Sequence, residues 1–253
     1  MQRTHRTIEM TSGSLWKNIL LFSIPLVLTQ LLEILFNLSD VAVAGKFADY
    51  RALGAVGSTT QLVTLFTGFL IGLGSGVNVE VARSLGAEDK ERTEKNIHTS
   101  FIICAAVGVL LCLICRAFAR DILVLLRTKD DLMDGAVLYF RIYFGGLIFN
   151  VLYNMTAGIL NAVGNSRRSL LYLAIASGTN IVLDLVLICG LNMGVAGAAI
   201  ATDMSQLVSA ILATLFLMRT DGSYRVRPAD IRINPREAKR IIRVGLPTGI
   251  QNM

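Results

Sequence analysis

Residues 19–43 read ILLFSIPLVLTQLLEILFNLSDVAV, and residues 170–191 read LLYLAIASGTNIVLDLVLICGL. Each stretch is long enough to cross a bilayer, because a transmembrane helix needs about 20 consecutive apolar residues. Each also carries an acid, Asp40 in the first and Asp184 in the second. An acid at the centre of such a helix costs about 2.5–3.5 kcal/mol, so these acids usually face a bundle interior or a wet cavity and mark ion pathways. The two stretches predict a membrane transporter with its ion site at these acids.

The composition favours lipid as the main solvent of the chain. Of the 253 residues, 53% are hydrophobic and 17% are charged, and the mean hydropathy is +0.60. A soluble domain carries about 25% charged residues. The net charge of +6 does not indicate a nucleic acid partner, because the basic residues form short clusters between apolar runs. The four cysteines lie inside apolar stretches, which favours buried apolar packing over disulfides or metal ligation.

Six apolar stretches are predicted to span the membrane as an all-α bundle. They are residues 19–43, 53–77, 97–117, 136–163, 170–191 and 195–218. A charged loop is expected over residues 80–96. Pro25 lies one to two turns into the first span, where it removes a backbone hydrogen bond and predisposes the helix to bend.

Polar side chains in these spans fall on narrow stripes. Residues three and four positions apart share one helix face, and two such stripes occur: Glu33, Asn37 and Asp40 in the first span, and Ser177, Asn180 and Asp184 in the fifth. These faces are expected to contact protein or water rather than lipid. Four polar residues are candidates for lining a substrate cavity: Glu33, Asn37, Asp203 and Gln206. Asp203 either lines this cavity or pairs with a basic residue.

The distribution of positive charge predicts a cytoplasmic N-terminus. Basic residues are enriched in cytoplasmic loops, and this orientation places 17 of the 24 Lys and Arg residues on the inner side. The connection between the third and fourth spans fits poorly, because it is basic and would lie outside. The total still favours the N-terminus inside.

The end of the sequence repeats the start of the first span. At a constant offset, three residues of the first span match three near the end: Lys17, Ile19 and Pro25 match Lys239, Ile241 and Pro247. Many transporters contain internal repeats, and chance similarity is the alternative. The repeat predicts a cytoplasmic tail (1–14), a six-helix lobe (15–218), a cytoplasmic connector (219–240) and the truncated start of a second lobe (241–253). The chain is therefore expected to be a fragment that lacks the second six-helix lobe.

Six motifs, in order along nearly the whole chain, resemble the N-terminal half of a multidrug and toxic compound extrusion (MATE) antiporter. They are Ile24-Pro25 with Gln30, FNLSD (36–40), LGAEDK (85–90), residues 158–168, NIVLD (180–184) and GVAGAAIAT (194–202). The resemblance implies a protein of the cell membrane with twelve helices, arranged as two six-helix lobes around a central cavity. It also implies export of organic cations or amphipathic compounds driven by inward Na⁺ or H⁺, with no cofactor besides this coupling ion.

The resemblance implies an ion-coupling site in this lobe, with oxygen ligands suited to Na⁺ or H⁺. The corresponding residues are Asp40, Asn180, Asp184 and Thr202, with Asn154 as the candidate for a fourth-span amide and Asn161 as the reserve. Two neighbouring carboxylates at low dielectric repel each other, which favours proton uptake by one of them.

Plainer interpretations of the same residues stay open. Asp40 lies near a helix end and can be an interfacial or capping residue. Asn180 and Thr202 can be interhelical hydrogen-bond partners, and Glu33 with Asn37 can simply join helices.

Two rival functions also stay open: a lipid-linked oligosaccharide flippase of the same superfamily, and a six-helix membrane fragment that transports nothing. The flippase needs a strongly basic cavity, whereas the charges inside the predicted spans are mainly acidic. An enzyme is not expected, because the sequence has no glycine-rich phosphate loop, paired His/Cys metal spacing or hydrolytic triad.

Overall fold

The computed structural model describes residues 15–47 and 50–253, and within these ranges the chain is helical with no β-strand. In chain order the α-helices are α1 (Leu15–Phe47), α2 (Tyr50–Gly86), α3 (Lys90–Ala117), α4 (Ala119–Leu125), α5 (Asp130–Gly145), α6 (Leu147–Ala162), α7 (Ser166–Asp184), α8 (Gly194–Arg219) and α9 (Pro235–Gln251). A π-helical segment, Leu185–Gly190, continues α7, and a 3-10 turn, Pro228–Asp230, precedes α9. The predicted tail over residues 1–14 lies outside the described residues.

The described helices are those of a multi-pass membrane protein. Five segments are long and apolar enough to cross a membrane: Ser23–Val43, Leu53–Gly86, Lys90–Ala117, Ser166–Gly190 and Gly194–Arg219. Helices α5 and α6 add a sixth if they are counted as one broken span, bent by 45°. The predicted all-α membrane bundle is confirmed.

The fourth span was predicted as one helix over residues 136–163, and the structure breaks it between α5 and α6. The break falls at the pair Gly145 and Gly146, and glycine pairs are frequent sites of helix kinks. The carboxylate of Asp203 on α8 lies so close to Gly146 that a Cβ atom there would collide with it. A residue with a side chain at this position would therefore require the Asp203 carboxylate to move.

The predicted charged loop over residues 80–96 is mostly helical. Helix α2 continues to Gly86, and α3 begins at Lys90 after a short turn. Asp89 caps α3, because its Oδ1 accepts a hydrogen bond from the backbone N–H of Arg92 at 3.0 Å. The sequence prediction ended the second span too early because it treated charge as a sign of loop, whereas these helices extend beyond the apolar core.

Helix α9 packs on α2 along a seam of glycines. The Gly76 backbone approaches Gly245 so closely that a Cβ on Gly76 would stand 2.6 Å from the Gly245 Cα atom, and Gly72 meets Gly249 even more closely. Small residues allow membrane helices to approach to backbone contact. The seam therefore fixes the position of α9, the segment that the repeat identifies with the start of a second lobe, against the second span.

Helix α1 packs on α7 and leaves an apolar face uncovered. Leu31, Ile34 and Leu38 are each more than half exposed. In a membrane protein such a face contacts lipid or a further protein segment.

Candidate functional site

The fifth-span stripe is buried in the bundle. Asn180 and Asp184 on α7 have no exposed surface, and Ser177 on the same stripe is also buried. Helix α7 packs against α1 on one side and α8 on the other. The prediction that this face contacts protein rather than lipid agrees with these positions.

The amide of Asn180 has no hydrogen-bond partner for its oxygen or its nitrogen among the residues that the structure describes. A buried amide without a partner costs about 1–3 kcal/mol, so such groups in native proteins call for an explanation such as an unseen water or ion. Thr202 on α8 is buried as well, and its hydroxyl donates to the Ala198 carbonyl oxygen at 3.0 Å. Amide, hydroxyl and carboxylate oxygens are the kinds of ligand that suit a hard cation such as Na⁺, and the joint site of Asn180, Asp184 and Thr202 stays a prediction.

Asp40 and Asn37 lie within α1, but their side chains are outside the described residues. A shared ion site between Asp40 and Asp184 therefore stays a prediction. Helix α1 does pack on α7.

A small inner cavity of about 50 Å³ is lined by residues of α1, α2, α5, α6, α7 and α8. Its polar lining includes Glu33, Asn150, Tyr153, Asn154, Thr202 and Gln206. The structure thus gathers four of the predicted residues, Glu33, Asn154, Thr202 and Gln206, around one space. Asn180 and Asp184 do not line it.

Two larger open cavities adjoin the inner cavity through Glu33, which lines all three. Their volumes are about 420 Å³ and about 470 Å³. Among the described residues that line the three cavities, Glu33 is the one charged side chain, and no Lys or Arg is present. Asn161, the reserve amide, lines the first of these larger cavities. A positively charged or neutral ligand is therefore better suited to this space than an anion.

Within the inner cavity, the two fourth-span amides are joined. Asn154 Nδ2 donates to Asn150 Oδ1 at 2.7 Å and to the Asn150 carbonyl oxygen at 3.0 Å. These bonds use the donor end of the Asn154 amide and leave its oxygen as the end able to contact a cation.

Asp203 stands apart from the other sixth-span residues. Its carboxylate lies against Gly146 at the break between α5 and α6, and it lines none of the three cavities around Glu33. Pro25 is buried inside α1, which is assigned as one helix from Leu15 to Phe47. The Thr29 hydroxyl donates to the Pro25 carbonyl oxygen at 2.8 Å.

Sequence reasoning missed two features of this region. The π-helical segment Leu185–Gly190 begins directly after Asp184, and π-helical turns occur frequently at functional sites. No pattern in the sequence identifies it. Thr67 and Asn78 of α2 also line the cavities, and these are polar residues in an apolar helix, the same signal that identified the stripes.

Comparison with known proteins matches this chain to a family. The MatE family model matches residues 25–186. The probable multidrug resistance protein YpnP of Bacillus subtilis (strain 168) is 26% identical over 98% of this chain and 55% of its own length. The multidrug export protein MepA of Staphylococcus aureus (strain MRSA252) is 22% identical over 94% of this chain and 53% of its own length.

A solved structure of similar architecture is the outward-facing conformation of a multidrug resistance MATE family transporter of the MOP superfamily. It superposes with a TM-score of 0.90 at 28% identity, over 99% of this chain and 56% of that chain. The chain spans about half the length of the relatives it matches.

Proposed function

The chain belongs to the MatE family, whose members are transporters and not enzymes, and we propose that it forms the ion-coupling lobe of a multidrug exporter. The proposed transporter exports organic cations or amphipathic compounds across the cell membrane in exchange for Na⁺ or H⁺. The observation that carries the proposal is the fully buried pair Asn180 and Asp184 on α7. A group as costly to bury as a carboxylate is found in a membrane bundle where an ion pathway uses it.

The coupling ion binds, in this proposal, to the oxygen atoms of α7 and its neighbours. Asp184 supplies a charge that Na⁺ or H⁺ neutralises, Asn180 supplies an amide oxygen, and Thr202 supplies a hydroxyl. Asp40 is the proposed second carboxylate from α1, and Asn154 contributes its oxygen from the cavity side. Antiport requires that ion and cargo favour different states of the protein, so that binding of one promotes release of the other.

The cargo occupies, in this proposal, the cavities that meet at Glu33. The Glu33 carboxylate and the absence of a base among their described lining residues favour a cation or a neutral amphipathic compound. The same observation disfavours an oligosaccharide flippase, since a pyrophosphate group requires positive charge around it.

A second six-helix lobe completes the proposed transporter. Three observations support it: the chain covers about half of its relatives, α9 is already seated on the glycine seam of α2, and the apolar face of α1 is uncovered. The basic inner segments support a cytoplasmic N-terminus.

The test is transport by the full-length protein in reconstituted vesicles loaded with a fluorescent organic cation. We expect efflux when the gradient of the coupling ion, Na⁺ or H⁺, is imposed. We expect efflux to be lost when an ionophore collapses the gradient of that ion. Collapsing the two gradients separately identifies the ion. Efflux that is equal with and without both gradients would contradict antiport, and transport of a lipid-linked sugar without cation efflux would favour the flippase.

A further inference from the structure

A cluster of charged residues lies where α2 ends and where α3 and α9 begin. Four arginines and a glutamate, with Val244, line an open cavity of about 550 Å³: Glu80, Arg83, Arg92, Arg240 and Arg243. We call this cavity the arginine pocket. Neither the ion site nor the cargo cavities use any of its residues.

Two buried carboxylates pair with three of the four arginines of the pocket. Glu80, with 2% of its surface exposed, accepts from Arg83 Nη1 at 2.9 Å and from Arg92 Nη2 at 3.0 Å. Glu237 of α9 accepts from Arg92 Nε at 3.4 Å and from Arg240 Nη1 at 2.8 Å. Arg92 therefore bridges α2 and α9. Three guanidinium groups are thus paired with a carboxylate before any ligand arrives, which reduces the ordering cost of binding one.

The pocket carries surplus positive charge. Four arginines surround two glutamates, so two positive charges are not balanced within the cluster. Arg243 forms no ion pair with any residue that the structure describes, and it is exposed at the pocket. Each guanidinium has five N–H donors, and the ion pairs above use only one or two of them. The remaining donors suit an anion with several oxygens, which arginine binds in bidentate fashion.

The position of the pocket points to the membrane surface. Helix α2 has 37 residues, which corresponds to about 55 Å at 1.5 Å per residue, whereas the hydrocarbon core is about 30 Å thick. The end of α2 with Glu80 and Arg83 therefore lies where lipid headgroups are found. Val244 lines the pocket, and Leu246 on the same helix is 43% exposed. Apolar surface thus adjoins the charged pocket.

We propose that the arginine pocket binds the phosphate headgroup of an anionic phospholipid. Basic pockets between membrane helices bind such headgroups, and the adjoining apolar surface of α9 suits the acyl chains. A bound headgroup would join α9 to α2 and α3 at the end of the bundle. Inorganic phosphate has the same oxyanion chemistry but has no acyl chains to place on α9.

The test is native mass spectrometry of the full-length protein in detergent, titrated with phosphatidylglycerol, with phosphatidylcholine or with inorganic phosphate. We compare the natural protein with Arg243→Gln and with Arg240→Gln/Arg243→Gln. The matched control is Arg236→Gln, which removes the same charge from an exposed position of α9 outside the pocket. We expect phosphatidylglycerol to bind more tightly than phosphatidylcholine. Its Kd should weaken about tenfold in Arg243→Gln, the effect of losing one charged hydrogen bond, and further in the double variant.

The control variant should retain the affinity of the natural protein, and all variants should elute as folded protein from a sizing column. Because Arg243 is exposed, its substitution is not expected to affect folding. Equal binding of the two lipids, or equal weakening in Arg236→Gln, would overturn the pocket assignment. Binding of inorganic phosphate as tight as that of phosphatidylglycerol would overturn the choice of a lipid as the ligand.

Discussion

Glu80 and Asn180 are both buried polar side chains between membrane helices, and their surroundings differ completely. Glu80 accepts from two arginines within 3.0 Å, whereas neither polar atom of the Asn180 amide has a hydrogen-bond partner among the described residues. A buried polar group with its partners present belongs to the structure and costs stability when a partner is removed. A buried polar group whose partners are absent from the structure is a candidate ligand for an ion. The comparison separates a buried polar group that stabilises the architecture from one that we propose binds an ion.

The largest expected effect on stability comes from Arg92, which bridges the two buried glutamates. Arg92→Gln leaves Glu80 and Glu237 each with one arginine, and we expect it to lower the free energy of unfolding by about 3 kcal/mol. Thermal or denaturant unfolding in detergent measures the change.

The control for Arg92 is Lys95→Gln on the same helix, which removes an exposed ion pair with Glu91. Exposed pairs contribute less than about 1 kcal/mol. Equal losses in the two variants would mean that the Glu80 cluster is no more architectural than a surface pair.

The next effect concerns Pro25 of α1, because α1 packs on α7, the helix that carries Asn180. Pro25→Ala restores a backbone hydrogen bond and should stabilise α1 by up to about 3 kcal/mol. If bending of α1 is part of the transport cycle, the same variant should lower gradient-driven efflux by the full-length transporter. Unaltered efflux and ion dependence would show that the bend has no role in transport. Thr29→Val removes the hydrogen bond from the Thr29 hydroxyl to the Pro25 carbonyl oxygen. This variant tests whether a change in this part of α1 alters efflux when the proline itself is kept.

The smallest expected effect on stability is at Asn180 itself. Asn180→Leu removes an amide with no described partner, so the free energy of unfolding without ion should change by less than about 1 kcal/mol or increase. Asn150→Leu is the contrasting variant, since it leaves Asn154 Nδ2 without its 2.7 Å acceptor and should cost about 1–3 kcal/mol.

The same Asn180 variant should also lose any rise in Tm that the coupling ion produces in the natural protein, because a bound ligand stabilises the folded state. Retention of the full ion-dependent rise would remove Asn180 from the ion site.

The sequence predicted the parts of this molecule that depend on periodicity. The polar stripe of Asn180 and Asp184 is buried as the 3.6-residue repeat requires, and the spans were located by their apolar length. The end of α2 and the start of α3 were missed because charged residues such as Glu80 look like a loop when their arginine partners are not known. Hydropathy indicates whether a residue favours water or lipid, but it does not identify the residues that it contacts.

The site was predicted where a polar residue interrupts an apolar run, and not where geometry alone decides. Thr202, Gln206 and Glu33 meet at one cavity, as expected of polar residues within spans. The break between α5 and α6 falls at Gly145 and Gly146 inside a stretch predicted as one helix, and the π-helical turn follows Asp184. The glycine pair is a local sign of a kink that the sequence prediction overlooked, whereas no pattern in the sequence identifies the π-helical turn.

The most direct test of the central claim is gradient-driven efflux by Asp184→Asn in the full-length transporter. Asparagine keeps the shape and an oxygen ligand but removes the titratable charge, so the ion can no longer change the state of the site. The measurement is efflux of a fluorescent organic cation from reconstituted vesicles under an imposed Na⁺ or pH gradient, at equal protein level. Asp130→Asn, an exposed acid at the start of α5, is the control. The account predicts loss of gradient-driven efflux in Asp184→Asn, a similar or smaller loss in Asp40→Asn, and unchanged efflux in the control. Undiminished efflux in both Asp184→Asn and Asp40→Asn would contradict the account and place ion coupling outside this lobe.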